Sequence, residues 1–454
     1  MNEENELESK NVDKLASKIS NIINNHVYPD GIPGIQNRIH DHFKEIIISS
    51  EILLKEVQRI ETERQDAFNK KKEKITNTEL KFSDDQTIES EEFSNFLTEL
   101  TYNVVNTMKK FRSLYTVNLS NVLIRSLFLN LFSIFDSFLG DLLREIYKKK
   151  PELIEKINQN FSVKDLREFE SIDIIINQLI NKDIEQILRE SYIEQFSIIG
   201  NKFNIKLSEF KNWPIFVEIS QRRNLIMHTN GRVTSQYLEN CKNNKCTLID
   251  DIKINDTLHI SKEYLLNSAR ILQEVTFKLS ITLWRKIFPS ELNISDKYAN
   301  NHLFSLLTEE DYILAVELGE FMIKQTKFNS DADKRIILIN YCIALKNLNR
   351  TDEMNIHLNS VDWSSSILDF KLAVELLKDN KSEFLKYMEK IGTKGEYLDE
   401  ESYKEWPLFR HIRNNEEFQK KYKQIFNKDL EEEIKQEASD IIATESFQKP
   451  NSVA

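Results

Sequence analysis

Glycine and proline are nearly missing from this chain. Of 454 residues only 8 are Gly and 7 are Pro, where average usage is about 7% and 5%. Gly supplies positive φ and Pro presets negative φ, so together they make the tight turns that sheets and hairpins need. A chain so poor in both predicts helices joined by short polar loops, an all-α fold. Its length is enough for two or three domains, each with a core of its own.

Charge and cysteine usage narrow the class further. Lys and Arg number 62 against 73 Asp and Glu, a net charge of −11, so no chain-wide attraction to nucleic acid is available and any RNA contact must be local. Three cysteines, Cys241, Cys246 and Cys342, are too few for a secreted disulfide scaffold, and the pair Cys241/Cys246 supplies half of a structural zinc site. The opening MNEENELESK is acidic and polar, where an export signal is basic and then apolar. A reducing, cytoplasmic setting is the expectation. The most apolar stretch, SLFLNLFSIF at 126–135, lies between Arg125 and Asp136 and has half the length of a bilayer span. It predicts a buried helix and no membrane partner.

Four regions follow along the chain. Residues 1–95 read as a helical N-terminal region, amphipathic near 35–60 and then charge-rich, a solvated helix running into a linker. Residues 96–290 hold the strongest apolar helix, at 122–147, and a second, WPIFVEISQRRNLIMHT at 213–229, with Pro214 suited to a first turn and Asn230-Gly231 to a stop. A third helix at 261–288 starts at a Ser261 cap. Residues 291–440 change to paired short helices: 341–354 overlays 372–385 at an offset of 31 residues, Asn349 on Asn380. That period is close to the roughly 34 residues of tetratricopeptide repeats, which this region resembles, and stacked hairpins present either plain packing or a concave docking groove. Residues 441–454 read as a flexible tail.

One segment gathers cations. RRNLIMHTNGR, at 222–232, carries Arg222, Arg223, Arg232 and His228. Spacings of four, three and four set Val217, Gln221, Asn224 and His228 on one helical stripe, three of them polar. Arg223 lies roughly 140° of rotation from His228, so the two meet a common ligand if the guanidinium bends round or a second subunit completes the site. A histidine that titrates near neutrality beside a guanidinium fork is the chemistry for cleaving a phosphodiester through its internal 2′-hydroxyl. It needs neither metal nor cofactor.

Arg223-Asn224-Leu225-Ile226-Met227-His228, followed by Gly231-Arg232-Val233, resembles the R-N-x-x-x-H signature of HEPN domains. The resemblance covers about residues 96–290 and implies a helical bundle that dimerises so that two signatures share a cleft, in many members a metal-independent ribonuclease. Carried over, Arg223 and His228 are catalytic and Asn224 orients the phosphate or the histidine. Arg222 and Arg232, outside the signature, are assigned to RNA backbone contacts, or else to a solvated helix end. Asp136, a lone acid in an apolar stretch, either faces solvent or pairs, with Arg223 or with Arg125. Asp136 and Gln221 are supporting candidates.

The function so implied is an endoribonuclease, a toxin-like effector in bacterial anti-phage defence, with RNA as substrate, a homodimer as the active form and a protein regulator on the repeats. The rival is a non-catalytic interaction protein, or an auxiliary subunit of a neighbouring effector such as a nucleotidyltransferase. Two other patterns carry less. His40 and His42 sit about 200° apart on a helix and do not share a metal, and 241–246 reads as a basic loop.

Overall fold

A computed structural model describes residues 28–76, 98–99, 101–102, 104–105, 109, 118–157, 171–248 and 252–433. Among them the secondary structure is helical, with no strand beyond a lone β-bridge between Arg232 and Thr257. The protein is all-α, as its Gly and Pro content requires. The expected tail at 441–454, residues 1–27 and most of the charged run after 76 lie outside the described residues. The chain forms two compact units, divided between Thr276 and Phe277.

In the first unit, helix α1 (Ile32–Thr76) lies along α2 (Leu119–Lys149). The early part of α1 is packed more tightly than a solvated helix: Ile32, Ile39 and Phe43 are buried, and Arg38 pairs with Asp141 at 2.6 Å. Helix α2 starts at an Asn118 cap that accepts from the Asn121 N–H. By length and composition α2 is apolar enough to cross a membrane, so the half-span argument applies to its centre and not to the whole helix. Its phenylalanines at 128, 132, 135 and 138 are nonetheless fully buried within the unit, each stabilising it by about 1.5–3 kcal/mol.

Helices α3 (Ile172–Arg189) and α4 (Tyr192–Phe203) come next, with a Ser191 cap between them, and then α5 (Trp213–Thr229), α6 (Ser235–Asn243) and α7 (Lys262–Ile287). The division into units falls within α7. An aromatic cluster locks α2, α4 and α5 together: Phe216 of α5 meets Phe135 at 5.6 Å and Phe196 at 5.1 Å between ring centroids, and Trp213 meets Phe196 at 5.3 Å. Tilted contacts of this kind add to plain area burial. They hold the start of α5 in the core while its end reaches the surface.

The second unit contains α8 (Leu292–Thr308), α9 (Tyr312–Ile323), α10 (Asp331–Asn347), α11 (Thr351–Asn359), α12 (Leu368–Leu377), α13 (Lys381–Ile391), α14 (Glu400–Glu405) and α15 (Glu416–Phe426). Three hairpins, α8/α9, α10/α11 and α12/α13, use one turn. A positive-φ residue, Glu310, Asn349 or Asp379, is followed by an N–H that reaches back five residues: Asp311 to Leu306, Arg350 to Leu345 and Asn380 to Glu375, each at 2.9 Å. The structure therefore matches Asn349 with Asp379, thirty residues on, and not with Asn380. Backbone geometry sets this register, and Asn and Asp both tolerate the left-handed region. The first hairpin of the three carries no sequence similarity that reveals it.

Candidate active site at the end of helix α5

Helix α5 ends as its residues dictate. Asn230 takes the left-handed conformation at φ 55° and Gly231 follows at φ 84°, with the Gly231 N–H donating to the Leu225 carbonyl at 2.9 Å. The chain then runs beside residues 256–258: Leu258 N–H donates to Gly231 O and Val233 N–H to Asp256 O. Here Gly is required twice over, since a Cβ would sit 2.8 Å from the Leu258 carbonyl oxygen and φ is positive. Arg125 of α2 donates to the Asn230 side-chain oxygen at 2.7 Å, tying the helix end to the bundle.

The polar stripe climbs out of the core. Val217 is fully buried, Gln221 is 5% exposed, Asn224 is half-buried and His228 is exposed. Gln221, Arg223, Asn224 and His228 all line one cavity of about 580 Å³, together with Asp136 of α2. The half-buried Arg223 donates to the Asn224 side-chain oxygen at 3.1 Å, an arrangement that fixes one edge of its guanidinium and leaves the remaining N–H groups available. His228 has no hydrogen-bond partner among the described residues, so both ring nitrogens are open to a ligand.

Asp136 faces this cavity and accepts a hydrogen bond from the Tyr192 hydroxyl at 2.8 Å. Burial pushes its carboxyl above the ordinary value, against the pull of the Tyr192 hydrogen bond and the Arg223 charge. The same burial, with Asp136 beside it, raises the Tyr192 phenol. Of the two partners proposed for Asp136, Arg223 is the one that shares its cavity, and Arg125 is engaged by Asn230.

Arg222 is a correction. Instead of reaching towards RNA it is 7% exposed and paired with Glu218 at 2.7 Å. Its guanidinium lies 4.1 Å from the Tyr264 ring centroid and donates to the His259 carbonyl. Glu218 also accepts from Tyr237 at 2.8 Å and Tyr264 at 2.6 Å, so acid, guanidinium and two phenols form one closed network joining α5, α6 and α7. Offering Arg222 to a phosphate would strand Glu218 in the interior. The signal was present in the sequence, because Glu218 stands four residues before Arg222 on the same face. Arg232 is exposed and lies outside the cavity lining; its backbone bridges to Thr257 and exchanges hydrogen bonds with Thr229, donating to the Thr229 carbonyl and accepting from the Thr229 hydroxyl.

The rest of the lining was invisible to sequence reasoning. It comes from the α3–α4 junction, with Arg189, Glu190, Glu194 and Gln195, and from Asn240 of α6. None belongs to a motif, and only folding brings them to the signature. Their charge is mixed: Arg189 and Arg223 face Asp136, Glu190 and Glu194 around the same space. Cys241 and Cys246 are free thiols, the first fully buried against Tyr237. No group of metal-ligating side chains is present among the described residues.

Comparison with known proteins identifies no relative: no family model matches the chain, and neither a curated protein nor a solved structure matches it significantly.

Proposed function

We propose that the protein is a metal-independent endoribonuclease of the HEPN type, and the observation that carries this reading is the convergence of Arg223, Asn224 and His228 on one solvent-open cavity at a helix end. In the proposed reaction, His228 takes the proton of a ribose 2′-hydroxyl, and the 2′-oxygen bonds to the neighbouring phosphorus. The bond from phosphorus to the 5′-oxygen breaks, and that oxygen leaves with a proton from the His228 imidazolium of a second copy of the chain. The products are a 2′,3′-cyclic phosphate and a 5′-hydroxyl end. Arg223 clamps the phosphate and opposes the charge that grows in the transition state, and Asn224 holds Arg223 in place. An acid–base pair and a cationic clamp supply all that this route requires.

Exposed Arg232 lies near the exit of α5 and is assigned to the RNA backbone. The helical hairpins of the second unit resemble tetratricopeptide repeats in period and are assigned to a regulatory protein partner. The biological role that fits is a toxin-like effector in bacterial defence, held inactive until triggered.

A second reading has one observation in its favour. Asp136, Glu190 and Glu194 in the cavity wall repel a phosphate, which suits a non-catalytic interaction protein or an auxiliary subunit of another effector. Incubating purified protein with tRNA and total RNA in EDTA separates the two. Cleavage is expected, reduced at least about 100-fold by Arg223→Ala and by His228→Ala. Cleavage that survives both substitutions removes the assignment. Light scattering at micromolar concentration tests the shared cleft, which a strict monomer contradicts.

A further inference from the structure

Two glutamines in the cavity wall are half-satisfied. Gln195, in the first turn of α4 and 2% exposed, donates its amide nitrogen to the carbonyls of Leu188 at 3.3 Å and Glu190 at 2.9 Å. Its side-chain oxygen has no partner. Turning the amide over would set that oxygen against two carbonyls, so its orientation is determined. Gln221, 5% exposed and one turn before Asn224, accepts from the Asn240 amide at 2.9 Å, and its own nitrogen has no partner. Among the described residues these two stand with Tyr403 as buried side chains holding an unpartnered polar atom.

A buried group left without a hydrogen bond destabilises a protein unless a ligand or an ordered water supplies one. Here the two residues that carry one unmatched acceptor and one unmatched donor line the same cavity, about 580 Å³ in volume, inside the range of about 300–1,000 Å³ typical of small-molecule sites. The charge around it selects the ligand. The wall is mixed in charge, with Asp136, Glu190 and Glu194 offsetting Arg189 and Arg223, so nothing beyond Arg223 favours a second phosphate and a neutral heterocycle is not penalised. Every nucleobase carries a donor and an acceptor side by side on its pairing edge, and single-stranded RNA is read through bases splayed out of the stack.

We propose that this cavity is a nucleobase pocket, in which Gln195 and Gln221 hydrogen-bond the pairing edge of one unpaired base next to the phosphate held by Arg223. The assignment rests on the ribonuclease reading for the position of that phosphate and on the unmatched amides for the base. Both unmatched atoms are screened from bulk water, so a base meets them as the side chains of the wall relax around it. A double-stranded substrate, whose pairing edges are occupied, is excluded. The pocket makes the enzyme selective for a base in single strands and adds a neutral readout to a site whose wall is mixed in charge.

The test uses two readouts of the full-length protein. Sequencing the products from a randomised single-stranded RNA pool is expected to show one base favoured at a fixed position beside the cut. In Gln221→Leu and Gln221→Glu, cleavage at that base falls about tenfold, to the level of the other three. Gln195→Leu has the same effect. Cutting without base preference in the wild type, or a preference unchanged in all three variants, overturns the proposal and leaves the ribonuclease reading standing. In parallel, calorimetry with the four nucleoside 5′-monophosphates and His228→Ala protein is expected to show one base bound at least about tenfold more tightly than the rest. That selectivity is lost when Gln221→Leu is added. Selective binding by a protein that cuts no RNA retains the pocket and sinks the catalytic reading, whereas equal binding of all four shows that the amides hold water only. Circular dichroism melting curves confirm that each variant is folded.

Discussion

Glu218 and Arg222 stand one turn apart on α5 and close an ion pair of 2.7 Å in which neither side chain exceeds 9% exposure. The next residue, Arg223, turns towards the cavity and stays half-buried. Two adjacent arginines thus divide between holding the helix and meeting the ligand, because a step of one residue rotates the side chain by about 100°.

Arg222→Ala should therefore act on stability. It leaves Glu218 as an uncompensated charge among Tyr237 and Tyr264, and loss of one partner from a buried pair costs about 3–5 kcal/mol. Urea denaturation measures it. Arg232→Ala, at an exposed position, should stay within about 0.5 kcal/mol of wild type. Equal stability of the two variants would contradict the buried network.

Asp136 governs a dependence on pH. Its folded-state carboxyl lies above the ordinary value because it is buried, despite Tyr192 and Arg223. A raised acid binds its proton more readily in the folded state, so its contribution to stability is complete below the unfolded value of about 3.9 and is lost as pH rises through the folded value. Asp136→Asn keeps an acceptor for the Tyr192 hydroxyl and removes the buried charge. The variant should melt above wild type at pH 7, with the gap closing as pH falls towards about 4. A gap that widens in acid contradicts this assignment.

Gly231→Ala should loosen the end of α5. Its φ of 84° and the Leu258 oxygen 2.8 Å from a built Cβ leave no room for a methyl group. Strain of this kind costs about 1–3 kcal/mol, a fall of several degrees in Tm by calorimetry. An unchanged Tm would show that the 231–258 junction relaxes freely.

The extent of the helices was readable from local chemistry. Scarce Gly and Pro predicted an all-α chain, and α5 runs from Trp213 to Thr229 as Pro214 and Asn230-Gly231 indicate. The Ser261 cap is also observed, accepting from the Tyr264 N–H at 3.0 Å. The polar stripe of Gln221, Asn224 and His228 was visible for the same reason, since all three lie on one helix whose period is known in advance.

What sequence left undecided depends on contacts between residues far apart in the chain. Asp136 meets Tyr192 across 56 positions, and Asn240 meets Gln221 across 19. Whether Arg222 was a phosphate reader or a buried prop turned on Tyr237, Tyr264 and His259 arriving from α6, α7 and the segment between them. Helical periodicity orders side chains around one axis, but says nothing of which other helix closes over them. The sequence by itself determined the helices and one polar face; tertiary packing decided which cations stay exposed and which wall completes the cavity, because burial and pairing arise only when separate helices meet.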